Sequence, residues 1–165
     1  MLSFVKGERM EYEVGGPGRV VVIRLNDGDP IYASIETVAA QERISSAAVW
    51  LVGGVKNGGV VAGPKTADKF PLEVIEKRFA DAREIVGVGT IFANAAGLPR
   101  LHLHASIGKG DEVVTGCPRK GADCWLVGEV VLMEITGASA RRVVEEKSGL
   151  ELLGIGDAAK KSHVS

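Results

Sequence analysis

Two of the three histidines in this chain of 165 residues lie one residue apart, in Leu101-His102-Leu103-His104-Ala105. Apolar residues alternate with the imidazoles, which is the period of a β-strand. Side chains two apart on a strand share a face. Both imidazoles therefore project from one surface while the leucines pack behind it. Imidazole is the commonest metal ligand in proteins, and zinc takes three or four protein donors of this kind. A His-x-His pair is equally the polar face of a solvated strand, and spacing alone leaves both readings open.

Cys117 is the nearest residue that could complete a metal site. Gly108-Lys109-Gly110-Asp111 reads as a hairpin turn, and Glu112-Val113-Val114 as the returning strand. That hairpin would bring Cys117 back beside His104, where a thiolate could serve as a third zinc ligand. The other reading of Cys117 is a small buried hydrophobe, as free cysteines commonly are. Cys124 falls in the apolar run 122–135 and reads as core. The two cysteines lack Cys-x-x-Cys spacing, which argues against a zinc ribbon or a thioredoxin-type pair, and a disulfide between them stays open. His163 sits in a polar tail, and such tails usually fray rather than ligate.

The elements that must hold these residues are mostly strands. Residues 19–25 are β-branched and read as a strand, followed by the turn Asn26-Asp27-Gly28-Asp29. Pro30 suits the first position of a helix with Asp29 as its N-cap. Ile31, Ile35, Val38 and Ala39 then recur at helical spacing to about Arg43. Further strands are expected at 47–52, 72–78, 84–92, 101–107, 112–115 and 122–135. Gly53-Gly54-Val55-Lys56-Asn57-Gly58-Gly59 lacks the Lys-Ser/Thr ending of a phosphate loop and reads as a turn between antiparallel strands. Residues 138–147 suggest a short helix or an arm, and 149–153 an edge strand. With one central helix, parallel βαβ repeats are excluded. The expected fold is α+β: a mostly antiparallel sheet closed toward a barrel or sandwich with one packed helix. The run 122–135 has Trp125, Val127, Val131 and Met133 on one face and Leu126, Val130 and Leu132 on the other. A strand apolar on both faces needs a second cover, and a partner subunit would supply it.

Bulk properties narrow the function class. A net charge of −1 gives no general attraction to nucleic acid or an anionic membrane, and aromatics at 5% make a poor base-stacking platform. Hydrophobic residues at 45% support a single substantial core. Neither a secretory leader nor a membrane span is readable, so a cytoplasmic protein is expected. The expected organisation is an N-terminal segment 1–18, one domain 19–153 and a tail 154–165.

In several places the chain resembles the PPC domain, the domain conserved in plants and prokaryotes, in its stand-alone prokaryotic form. The resemblance spans 19–153. It rests on Arg24-Leu25-Asn26-Asp27-Gly28-Asp29, residues 48–54, Glu84-Ile85-Val86-Gly87-Val88-Gly89-Thr90, Leu101-His102-Leu103-His104, Gly116-Cys117, Gly121 and Glu129. The resemblance implies an α+β fold, a homotrimer and a metal site, with His-x-His followed by a Gly-Gly-His element. Here Thr115-Gly116-Cys117 stands where Gly-Gly-His would be, so the implied zinc ligands are His102, His104 and Cys117. Plant members carry AT-hooks that bind the DNA minor groove; this chain has no Arg-Gly-Arg-Pro core. Only weak DNA association, through partners, is expected.

Two functions follow as expectations. The first is a trimeric, zinc-binding assembly module with a regulatory or DNA-associated role. The alternative is a small zinc-dependent lyase or hydrolase acting on a small carboxylate, as in the similarly folded acetolactate decarboxylase. There Arg100 or Arg119 would hold the substrate at the metal site and Glu129 would move the proton. Fold alone does not choose between them.

Overall fold

The structure, a computed structural model, describes residues 10–146 and 148–156. In chain order the elements are β1 (Gly16–Asn26), α1 (Ile31–Gln41), β2 (Ser46–Lys56), β3 (Gly58–Pro64), β4 (Val74–Phe79), β5 (Arg83–Ala93), β6 (Pro99–Lys109), β7 (Glu112–Gly116), β8 (Asp123–Thr136), β9 (Arg141–Val144) and β10 (Glu151–Gly154). Six strands form one sheet in the order β1-β8-β2-β5-β6-β7, with every pairing antiparallel. Strands β3 and β4 form one ribbon, and β9 and β10 another. No helix among the described residues is long and apolar enough to cross a membrane.

One face of the large sheet carries the core. Val49 and Leu51 of β2, Ile85 and Ile91 of β5, Leu103 and Ile107 of β6, and Val130 and Leu132 of β8 alternate inward and are buried. Helix α1 covers them with Ile31, Ile35 and Ala39, a stripe at i, i+4 and i+8. Each large aliphatic side chain buried this way contributes about 1.5–3 kcal/mol. Pro30, not Asp29, occupies the N-cap, and no side chain caps the helix. The Asp29 carboxylate instead accepts the Asn26 N–H at 2.8 Å and closes the preceding turn.

The expected closure toward a barrel is not reached. The sheet ends at β1 and β7, which do not pair. The nearest approach to closure is a single bridge at the end of β7, where the backbones of Val61 and Cys117 exchange two hydrogen bonds of 2.9 Å. The glycine-rich segment also departs from the expected hairpin turn. Strand β2 runs on through Gly53 and Gly54 to Lys56, and β3 pairs with β4 rather than with β2. The corner is Asn57 alone, at φ 50°. The glycines serve a register slip between β2 and β8. Gly53 has φ 143°, and a Cβ there would lie 2.4 Å from the Val127 carbonyl oxygen. Gly53→Ala should therefore destabilise the fold by about 2–3 kcal/mol, from overpacking plus backbone strain. Urea unfolding would read this as a lower midpoint with an unchanged slope.

The short, glycine-rich β3 was not foreseen, and of the short helix or extended arm expected after Gly137 the extended form is found, as β9. The edge strand expected at 149–153 is β10, paired with β9. Residues 157–165, including His163, lie outside the described residues.

The turn into β5 contains a charge cluster with a pH consequence. Asp81 accepts hydrogen bonds from Arg83 Nε at 2.8 Å and Lys109 Nζ at 3.0 Å. The Arg83 bond, then the Lys109 bond, hold its carboxyl down to about 2. A depressed carboxylate adds stability above its unfolded pKa of about 3.9, and that stability is lost as pH falls through the folded value. The thermal midpoint should drop between about pH 4 and pH 2, and Asp81→Asn should flatten that part of the curve.

Candidate functional site: an open sheet face with a histidine pair

Strand alternation that buries one face of the sheet turns the other outward, and that face is strongly apolar. Val20 and Val22 of β1, Val131 and Met133 of β8, Ala48, Trp50 and Val52 of β2, and Val86 and Val88 of β5 lie on it in register. One row runs Val22, Val131, Trp50, Val88, His104 across five strands. Val22 is 76% exposed, Val88 60% and Trp50 42%. Contiguous apolar surface of this kind marks an interaction site on a soluble protein. Strand β8 has the two faces expected of it, with one correction. Cys124, Val130 and Leu132 are buried, whereas Trp125, Val127, Val131 and Met133 are half-buried. Leu126 leaves the alternation: it has φ 59° at the register slip and is exposed.

His102 and His104 lie at the β6 end of this face, opposite Thr90 and Val88. Their ring centres are 5.1 Å apart in an edge-to-face arrangement. Leu101 and Leu103 pack inward, as alternation requires. Beside them β7 has already ended, which leaves backbone groups of β6 without a strand partner. Helix α1 supplies substitutes from positions i and i+4. Tyr32 Oη donates to the Leu103 carbonyl at 3.1 Å, and the Glu36 carboxylate accepts the Leu101 N–H at 2.9 Å.

The same edge decides the place of Cys117. Gly116 pairs with Ala105, so one more ladder step would have set Cys117 opposite His104. The chain instead turns to the bridge with Val61. Gly116 permits that approach: a Cβ there would lie 2.2 Å from the Val61 carbonyl oxygen. Cys117 is buried, with Sγ 3.3 Å from Tyr32 Oη. The single phenol proton serves Leu103, which leaves the phenol oxygen to accept from the thiol. Burial pushes the Tyr32 phenol far up, so it stays protonated.

His102 and His104 thus come together, and Cys117 lies at the same strand edge on Tyr32. Among the described residues no group of three or more His, Cys, Asp or Glu side chains is arranged to hold a metal ion. The two imidazoles fit as donors. Burial, followed by the positive charges of Arg142, His104 and Arg119, lowers the His102 pKa and favours the neutral ring a metal needs. Both cysteines are free, and Cys124 is a core residue whose thiol is raised by burial.

The residues weighed for an enzymatic role are dispersed. Glu129 is on the same face, but β2 and β5 lie between its strand and β6, roughly 14 Å at the usual strand spacing. Arg100 is taken up by Glu36 at 3.5 Å and Glu151 at 3.4 Å. Arg119 is exposed near His102 and Tyr32. Arg142, Tyr32 and Glu36 were missed by sequence reasoning. The two α1 residues carry a faint signal in their i, i+4 spacing; Arg142 carries none.

A twisted antiparallel sheet with one helix on its inner face, and a His-x-His strand on the outer, defines an α+β domain of the PPC type. Residues 12–136 match the sequence profile of the Plants and Prokaryotes Conserved (PCC) domain, and the chain belongs to that family. A metal-containing protein from Archaeoglobus fulgidus shares the fold at TM-score 0.75 and 23% identity, over 87% of this chain and 98% of that one. A plant- and prokaryote-conserved (PPC) protein from Pyrococcus horikoshii superposes at TM-score 0.72 and 21% identity, over 88% of this chain and 100% of that one. A structure from Bacteroides thetaiotaomicron, named as a candidate DNA-binding protein, has TM-score 0.68 and 19% identity, over 87% and 99%. At these identities the likeness is one of fold. No curated protein matches by sequence.

Proposed function

We propose that this protein is an assembly module. It associates through the open sheet face into a homotrimer and holds a zinc ion on His102 and His104, with Cys117 as third ligand. The observation that carries this reading is the outward apolar face ending in the histidine pair. An apolar surface of that extent favours burial against another protein surface, at about 25 cal/mol per Å². Symmetric closure by copies of one chain is the common solution for soluble oligomers. The zinc would fix the orientation of strand β6 at the edge of that contact. For Cys117 to join, its thiol must exchange Tyr32 for the metal and lose its proton.

Any role with DNA passes through partners. The near-neutral charge and the absent AT-hook leave little of the electrostatic term that dominates DNA affinity. Support for the metal and for DNA comes from neighbours of the same fold, one named as metal-containing and one as a candidate DNA-binding protein. Light scattering combined with zinc titration tests the reading. A mass of three chains and one zinc per chain is the expected result, and a single-chain mass at micromolar concentration refutes it.

A further inference from the structure

Arg142 of β9 is 5% exposed, and a guanidinium buried to that degree normally has a carboxylate against it. Here its hydrogen bonds among the described residues go to Thr90: Nη2 donates to Oγ1 at 2.9 Å and to the carbonyl at 3.4 Å. The guanidinium carbon lies 5.5 Å from the centre of the Phe92 ring, within cation–π range. Nε is buried with no partner among the described residues. Burial works against the charge, and Glu151 is the carboxylate that offsets it. Glu151 is itself engaged by Arg100. The side chain is thus anchored at one nitrogen and stacked on an aromatic ring, with a donor left unused. A fixed guanidinium that keeps an unpaired donor is matched to the oxygens of a carboxylate.

Arg142 also lines an open cleft of about 740 Å³ between the β9–β10 ribbon and the turn that follows β5. Val143, Leu152 and Leu153 give the cleft apolar walls. Glu145, Glu146 and Glu151 stand around it and oppose a ligand of high negative charge. Apolar walls, one buried cation and an acidic surround select a ligand with a single negative charge and an aliphatic body.

We propose that this cleft binds a small aliphatic monocarboxylate, its carboxylate held by Arg142. The site lies within one chain and does not rest on the trimer or the metal. Thr90, which anchors Arg142, pairs with His102, so occupancy is also readable at the histidine face.

The probe is 3-methylbutanoate, added to the full chain with and without zinc. It should shift the Arg142 Nε–H resonance and raise the thermal midpoint in both samples. Arg142→Met should weaken binding roughly tenfold or more, the worth of a charge-assisted hydrogen bond. Arg142→Lys, which keeps the charge without the fork, should fall between. Inorganic phosphate should not displace the probe. An unmoved Nε–H resonance, unchanged affinity in Arg142→Met, or displacement by phosphate each overturns the proposal. Should Arg142→Met fail to fold, the wild-type resonance and Arg142→Lys still decide.

Discussion

Trp50→Asp is expected to convert a species of three-chain mass into a folded single chain. Trp50 lies at the centre of the apolar row, flanked in register by Val131 and Val88. Its side chain points away from α1, so the core formed by Val49, Leu51 and their neighbours keeps its packing. In the free chain the new carboxylate sits in water at little cost. In the assembly it would be buried opposite apolar side chains, at about 3–5 kcal/mol for each uncompensated charge. The penalty recurs at every copy, so even a tight interface should open. Leu98→Asp is the control, because Leu98 is exposed and apolar but lies in the turn before β6. Light scattering should give one chain for Trp50→Asp and three for Leu98→Asp, with circular dichroism unchanged in both. Loss of assembly in both variants, or in neither, would place the interface elsewhere.

The second large effect concerns zinc. Replacing His102 and His104 together by alanine should lower zinc affinity by more than the 10–100-fold of an outer-shell change, since two donors are lost. The fold should survive, because both side chains lie outward, away from the core formed by Leu101 and Leu103. Cys117→Ala separates the ligand from the buried thiol. As third ligand, its loss should cost zinc affinity comparably, and Cys117→His should retain binding. As a hydrogen-bond partner of Tyr32 and no more, its loss should leave zinc affinity unchanged and lower the melting temperature by a few degrees, since 1 kcal/mol is worth about 2–8 °C in domains of this range. Protons compete for the same donors, so zinc should leave as pH falls below neutral.

Local pattern carried the strands and the helix. Alternation in 101–105 predicted which residues of β6 face outward, and the structure agrees at each. The apolar period of α1 and the two-sided character of β8 were legible for the same reason, because alternation and helical repeat are properties of adjacent residues. Some local details were misread, Leu126 among them. The glycines at 53 and 54 suit a turn and a register slip equally well, and only the approach of Val127 distinguishes them. Asp29 has the chemistry of an N-cap, but the Asn26 N–H competes for it.

What the sequence by itself determined is most of the elements, the outward histidine pair and membership of the family, since each rests on spacing within a strand or on motif order along the chain. Only the tertiary structure decided the rest. Whether Cys117 completes a ladder beside His104 depends on where β7 stops, and that is set by the bridge to Val61, 56 residues away by number. The edge left vacant is then claimed by Tyr32 and Glu36 of α1, packed there by the core. Arg142 meets Thr90 and Phe92 because the β9–β10 ribbon folds back on β5. Such contacts join residues far apart in the chain, and their geometry follows from how whole elements pack rather than from any local repeat.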